Sequence, residues 1–250
     1  MIRALLSLLL LLAGGTALSA DPGPGLEGKR VLIFSHSTGF RHESIDAAVP
    51  SLRAAISAAG GVPIASEDPD IFSSERLARL DAIILVSTTT DRRRPESEWL
   101  SGGRRDAFQA FVRRGGGVVG IHAASDSHYH WLWYGEMLGG RFRRHPPGTA
   151  QGRLRVVDPA HPATKRLDPQ FGHHDEWYVI DDRDASTSLL LTLDPASIGE
   201  PAGPDWPISW AREHEGGRIF YTALGHTTEA WSQPAMINHV LGGLEWVLDR

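Results

Sequence analysis

"GGGVVGIHAASDSHYHW", residues 115–131, joins a glycine-rich apolar run to a polar turn and places a histidine, His122, where the two meet. Val118, Val119 and Ile121 form a short unbroken apolar run, the pattern of a parallel strand buried on both faces. Gly117 and Gly120 fall where a side chain would crowd the turn or the neighbouring backbone. A strand running into a sharp turn is the place where many α/β enzymes hold a nucleophile. Here the residue at that place is an imidazole, which can ligate a metal, move a proton or donate a hydrogen bond to a developing oxyanion.

The segments around this stretch repeat its alternation. "RVLIFSH" (30–36) reads as the first buried strand, and Ile45, Val49, Leu52, Ile56 and Ala59 recur at helical spacing up to a "GG" stop at 60–61. Pro50 is out of place in a helix interior unless the first turn is separate or kinked. "VPIASED" (62–68) and "DAIILVSTT" (81–89) are further strands, with a short helix over 73–80 between them and an amphipathic helix over 104–117 after them. The sum is a mostly parallel, flavodoxin-like α/β sheet flanked by helices. In such sheets the ligand sits beyond the carboxyl ends of the strands, which puts His36, the 87–91 loop and His122 on one rim. Beyond Gly140 the runs 152–158, 176–182, 186–194, 206–213 and 217–226 read as additional, antiparallel or mixed strands, and 234–249 as a closing helix with Met236, Val240, Leu241, Leu244 and Val247 on one face.

Residues 1–20 carry Arg3, an apolar run from Ala4 to Ala13 and then small residues, which reads as a secretory signal peptide. Residues 21–28, "DPGPGLEG", form a polar linker, and 29–250 a single domain. The expected location is therefore periplasmic or secreted, with no membrane attachment after signal cleavage. The chain has no cysteine, so disulfides, lipoprotein anchoring and thiol catalysis are excluded. A net charge of −5 gives no global attraction to nucleic acid, and the basic clusters at 91–94 and 141–145 read as solvated faces.

Twelve histidines are concentrated at strand ends and turns. His36 ends the first strand, His42 opens the first helix, His122 ends the fourth strand and His226 ends "RIFYTALGH". A strand-end rim can bring such ligands together around a divalent metal such as zinc, with His36, His122 and His226 as the candidates. The alternative is a metal-free pocket in which histidines bind a polyol and move protons. Asp175 and Glu176 are adjacent, so on a strand they face opposite ways and only one can serve the site directly; Glu176 is the first choice and Asp175 the second. His145 precedes proline, which holds it extended and able to reach the site, whereas His161 reads as a surface turn residue. Asp126 can supply a polar partner for a sugar hydroxyl, and tryptophans near the rim an apolar face for a sugar ring.

The blocks "SHSTGFRHESI" (35–45), "GGGVVGIHAA" (115–124), "WYGEMLGGRFRRHP" (133–146), "HPATKRL" (161–167), "HDEWYV" (174–179) and "IFYTALGHTTEAW" (219–231) resemble, in this order, those of the ThuA-like, or trehalose-utilisation, family. The resemblance implies a fold related to class I glutamine amidotransferases. In those enzymes the elbow carries a cysteine activated by a later histidine and carboxylate. His122 stands at the elbow here and "GHTTE" follows later, so Cys-dependent glutaminase activity is excluded. The family's D-E-x-Y pattern falls on Asp175, Glu176, Trp177 and Tyr178. The implied function is carbohydrate catabolism acting on a small-molecule sugar: a disaccharide, a glycoside or a 3-keto sugar derivative. His122, His226 and Glu176 would be catalytic, and His36, His42, Asp126, His145, Asp175, Trp177 and Tyr178 would bind substrate. A non-catalytic sugar-binding module and a metal-dependent amidase-like hydrolase are the alternatives.

Overall fold

The computed structural model describes residues 25–249; the expected signal peptide at 1–20 and the linker up to residue 24 lie outside the described residues. The first half runs β1 (Arg30–Phe34), α1 (Ile45–Ala58), β2 (Val62–Ser66), α2 (Ser74–Leu77), β3 (Ala82–Val86), α3 (Gly103–Arg113), β4 (Gly117–Ile121) and α4 (Leu132–Leu138). The second half runs β5 (Arg141–Arg144), β6 (Ala150–Val156), β7 (Gln170–Asp175), β8 (Val179–Asp181), β9 (Ser188–Asp194), β10 (Trp206–His214), β11 (Gly217–Thr222) and α5 (Pro234–Leu248). Nine strands form one sheet in the order β2-β1-β3-β4-β11-β10-β9-β6-β7. The first five of these are mutually parallel, and the remainder add in antiparallel fashion. The parallel half therefore has flavodoxin-like strand order, and the later strands extend it on one side.

The expected periodicities become buried faces. Every residue of β3 and β4 is buried, and α1 turns Ile45, Ala48, Leu52 and Ile56 inward. Pro50 stays inside α1 because it lies on the exposed face, where water can satisfy the carbonyl that the ring leaves without an N–H partner. Helix α5 lies so close to the sheet that a Cβ on Gly117 would stand 2.8 Å from the Val247 carbonyl oxygen. A Cβ on Gly120 would meet Leu138 at 2.9 Å and Tyr221 at 3.1 Å.

Three expectations change. The run 176–182 is not one strand: β7 ends at Asp175, Glu176 to Tyr178 are a connection, and β8 leaves the sheet to pair with β5. The break has a local cause, since the Asp175 carboxylate turns back to accept the N–H of Glu176 at 3.0 Å. His161 is buried rather than on the surface; its Nδ1 accepts from the Ala163 N–H at 3.1 Å and its ring packs on Trp246. The cluster at 141–145 is only partly solvated, because it forms β5, with Arg141 half-buried and donating to the carbonyls of His128 and Trp131.

His239 of α5 is buried, with Nδ1 donating to the Ala163 carbonyl at 2.8 Å and Nε2 3.1 Å from the Ser209 hydroxyl. Burial, which penalises the charged ring, pushes its pKa down to about 4. The unfolded chain takes up this proton near the ordinary value of about 6.5 and the folded chain does not. The stabilisation is thus present above that value and is lost as pH falls towards 4, at up to about 1.4 kcal/mol per unit. Denaturant titrations at stepped pH should show this slope in the native chain and a shallower one in His239→Gln. Gly117→Val and Gly120→Val should each cost about 1–3 kcal/mol by overpacking, read as a lowered denaturation midpoint with an unchanged m-value.

Candidate functional site

The loops at the carboxyl ends of the parallel strands β1, β4 and β11, with the segment that follows the antiparallel strand β7, build the site. After β1 the chain is drawn across the sheet by hydrogen bonds from the Thr38 and Gly39 N–H groups to the Thr89 carbonyl at 3.0 and 3.1 Å. Gly39 permits this approach, since a Cβ there would stand 2.9 Å from the Thr90 backbone. The crossing sets Phe40 and His42 over the end of β4. His36 stays behind on the other side of the crossing, where its ring faces Phe34 and Trp99 at 6.2 and 6.3 Å.

At the end of β4, His122 adopts φ of +49°, in the left-handed region that a β-carbon disfavours. Its own carbonyl accepts from the Tyr221 hydroxyl at 2.9 Å, and Ser125 hydrogen-bonds to the same hydroxyl at 2.7 Å. The ring is fully buried, and Nδ1 stands 2.8 Å from the Ala223 carbonyl, so Nδ1 carries the proton. Nε2 therefore faces inward, 3.2 Å from His226 Nδ1 and 3.5 Å from Glu176 Oε2.

The loop after β11 carries His226, and a buried carboxylate fixes it. Asp175 accepts the backbone N–H groups of Gly225, His226 and Thr227 at 2.7, 2.9 and 3.3 Å. Burial opposes its ionisation, but His173, the charge of His122 and the Gly225 N–H outweigh that and keep it below the ordinary carboxylate range. Asp175 thus stands behind the cavity and supports the backbone of the loop. Glu176, next along, puts Oε2 3.3 Å from His226 Nδ1 and Oε1 3.1 Å from His145 Nδ1. Burial raises the Glu176 pKa, yet hydrogen bonds to His122 and His226 and their charges prevail and lower it. The same hydrogen bond to Glu176, against the effect of burial, raises the pKa of His226. Burial, with the charges of His122 and His226, pushes His42 down to about 3, so it is neutral at neutral pH.

Above these groups lies a cavity of about 280 Å³ lined by Phe40, His42, Asp126, Phe142, His145, Glu176, Tyr178 and His226. Tyr178 lies over the His122 ring at 4.2 Å. Burial raises Asp126 above its usual range, despite its hydrogen bond from Tyr129. A second cavity of about 310 Å³ adjoins, sharing Phe40, His42 and His226 and adding Thr149, Thr227 and Thr228. Three larger clefts, of about 480, 410 and 410 Å³, lie elsewhere; in the first Arg41 pairs with Glu67 at 3.0 Å, and in the second Arg212 pairs with Asp184 at 3.0 Å. The imidazoles converge at the smaller cavity, which makes it the candidate site.

Among the described residues, His42, His122, Glu176 and His226 are the group able to hold a metal, each offering a donor atom within 4.8 Å of the others. His42 thus takes the place expected for His36. Three residues expected to bind substrate do not line the cavity: His36, which lies on the other side of the crossing; Asp175, for the reason above; and Trp177, which is buried with Nε1 donating to the Ala150 carbonyl at 3.0 Å. Phe40 and Phe142, unremarked in the sequence, form walls, and Phe40 is 66% exposed. An unprotected aromatic beside histidine in "GFRH" is the signal that would have found the first.

No curated protein matches the chain significantly. Among solved structures, a ThuA-like protein from Bacteroides uniformis ATCC 8492 superposes with a TM-score of 0.73 at 24% identity, over 94% of this chain and 95% of that one. A ThuA-like protein from Parabacteroides merdae ATCC 43184 gives 0.69 at 20% identity, over 89% and 90%. A cytoplasmic protein of Salmonella typhimurium gives 0.62 at 13% identity, over 88% and 98%. These likenesses show the shared fold. The family described as ThuA, trehalose utilisation, matches residues 30–247, and the chain belongs to it.

Proposed function

We propose that the chain is an exported enzyme of carbohydrate catabolism that acts on a disaccharide, a glycoside or a 3-keto sugar derivative in the cavity over His42, His226 and Glu176. The observation that carries this reading is the cavity itself. It is walled by Phe40, Phe142 and Tyr178, floored by imidazoles and a carboxylate, and edged by Asp126 and His145. Sugars present apolar C–H faces and polar hydroxyl edges, so they need aromatic walls and dispersed polar partners together. The family's trehalose-utilisation context supports the substrate class. Export rests on the signal-like residues 1–20.

A keto sugar suits the floor best. Its carbonyl acidifies the neighbouring C–H bond, so a base can take that proton. The glycosidic C–O bond then breaks as a C=C bond forms, and an acid protonates the departing oxygen. Proton-accepting and proton-donating groups must stand on the same small site, and His122, His226 and Glu176, with His145 on the second Glu176 oxygen, provide such a set. Hydrolysis by two carboxylates is a poorer fit, because Asp175 is turned away to hold the loop.

Incubating the purified chain with keto-glycosides, plain glycosides and glutamine tests the assignment. Depletion of a keto-glycoside or glycoside is expected; binding without turnover would replace the enzyme by a sugar-binding module, and ammonia from glutamine would reinstate amidase chemistry. His122→Asn and His226→Asn should each lower turnover by roughly a hundredfold or more while the chain remains folded. The double variant should lose far less than the product of the two, as expected of groups acting together. Phe40→Ala should leave the melting temperature unchanged and raise KM about two- to tenfold, the worth of one aromatic contact.

A further inference from the structure

Three donor atoms beside the elbow form a triangle short of protons: a proton on His226 Nδ1 can serve either neighbour, but while His122 is neutral its Nε2 and Glu176 Oε2 face each other as lone pairs. His122 Nε2, His226 Nδ1 and Glu176 Oε2 are separated by 3.2, 3.3 and 3.5 Å. With its proton committed at Nδ1 to the Ala223 carbonyl, a neutral His122 has only a lone pair to offer the other two. Glu176, as a carboxylate, also offers only lone pairs. Donors held about 2.1 Å from a tetrahedral ion lie about 3.4 Å from one another, the length of these three edges.

A fourth donor stands close by, within 4.8 Å of the other three. His42 lies edge-on to His122 and to His226 with ring centroids 4.8 and 5.2 Å away, and its buried Nδ1 has no hydrogen-bond partner. The surroundings are those of a metal centre as well. The far nitrogen of His122 is oriented by a backbone carbonyl, and the backbone of His226 is clamped by Asp175.

We infer that His42, His122, Glu176 and His226 bind one divalent first-row cation such as zinc. Three imidazoles and a carboxylate favour such an ion over calcium or magnesium, which take oxygen ligands, and over copper(I), which takes sulfur. Three neutral rings and one carboxylate carry a single negative charge, which the cation offsets. His42, Glu176 and His226 line the cavity while His122 lies beneath them, so the open face of the ion points into the cavity. A sugar oxygen or a water could add there as a fifth ligand. His145, which touches the other Glu176 oxygen and is 39% exposed, stays outside the ligand set as a proton-transfer group beside the ion. With the ion bound, His122, His226 and Glu176 hold it instead of moving protons themselves; only the role of His145 rests on the proposed sugar chemistry, and occupancy of the site does not.

The test uses full-length protein purified without a histidine tag, stripped with chelator and titrated with zinc(II) and separately with cobalt(II). One equivalent of zinc should bind, with a raised melting temperature. Cobalt should give the intense visible absorption of a four- or five-coordinate site. His42→Ala and Glu176→Gln should each weaken zinc binding by more than the roughly tenfold to hundredfold that losing an outer partner costs, and should alter the cobalt spectrum. His36→Ala should bind as the native chain does. Circular dichroism of the stripped variants identifies any that fail to fold, and the native titration stands without them. No stoichiometric binding by the native chain would overturn the inference, as would binding unaffected in folded His42→Ala and Glu176→Gln. Either result would leave the sugar assay free to succeed by metal-free proton transfer.

Discussion

The buried carboxylate of Asp175 is the joint on which the site depends. It sits at the last residue of β7, the edge strand of the antiparallel extension, and receives three consecutive backbone N–H groups from the loop that follows β11. Those donors would otherwise be buried without partners, an arrangement that costs more than a typical hydrogen bond contributes. One side chain thereby fastens the far edge of the sheet to its centre. It also sets the directions of two neighbours, His226 on the clamped loop and Glu176 immediately after the clamp.

The elbow works in the opposite sense, by holding a residue where it would not settle by itself. A histidine at φ +49° carries local strain of about 1–3 kcal/mol. It persists because the Tyr221 hydroxyl holds its carbonyl, the Ala223 carbonyl holds its ring, and Gly120 leaves room for Tyr221 and Leu138 to close beneath. The strain and the contacts together aim Nε2 at a fixed point. Preorganisation of this kind is useful only where a fixed direction matters, as for a ligand or a proton relay.

The parallel half could be read from apolar runs and glycine stops, because β1, β3 and β4 are buried on both faces and α1 and α3 on one. The reading weakened after Gly140 for a physical reason. Strand β7, "QFGHHD", has no β-branched residue and gains its place by pairing along β6, a long-range contact that leaves little local trace. Strand β5, "RFRR", pairs only with the three-residue β8 and looks like a charged loop. At the site, His122, His226 and Glu176 were foreseeable from strand ends and the family pattern. His36 and His42 exchanged parts because strand ends alone do not show which way a loop crosses, and that crossing is fixed by the contacts of Thr38 and Gly39 with Thr89. Asp175 and Trp177, neighbours of Glu176 in sequence, do not line the cavity because their side chains hydrogen-bond the backbone behind it.

His42 and His226 lie 184 positions apart in the chain, yet their rings are 5.2 Å apart. Glu176 reaches the same point only after the antiparallel strands have added to the parallel ones. Such separations delay assembly, since the entropy of closing a long loop is lost before the contact forms. No fragment ending before β11 contains the constellation, whatever secondary structure it attains. The site is therefore a late product of folding. Its completion reports that both halves of the sheet have joined, so a partly folded chain carries no prematurely reactive cluster of histidines.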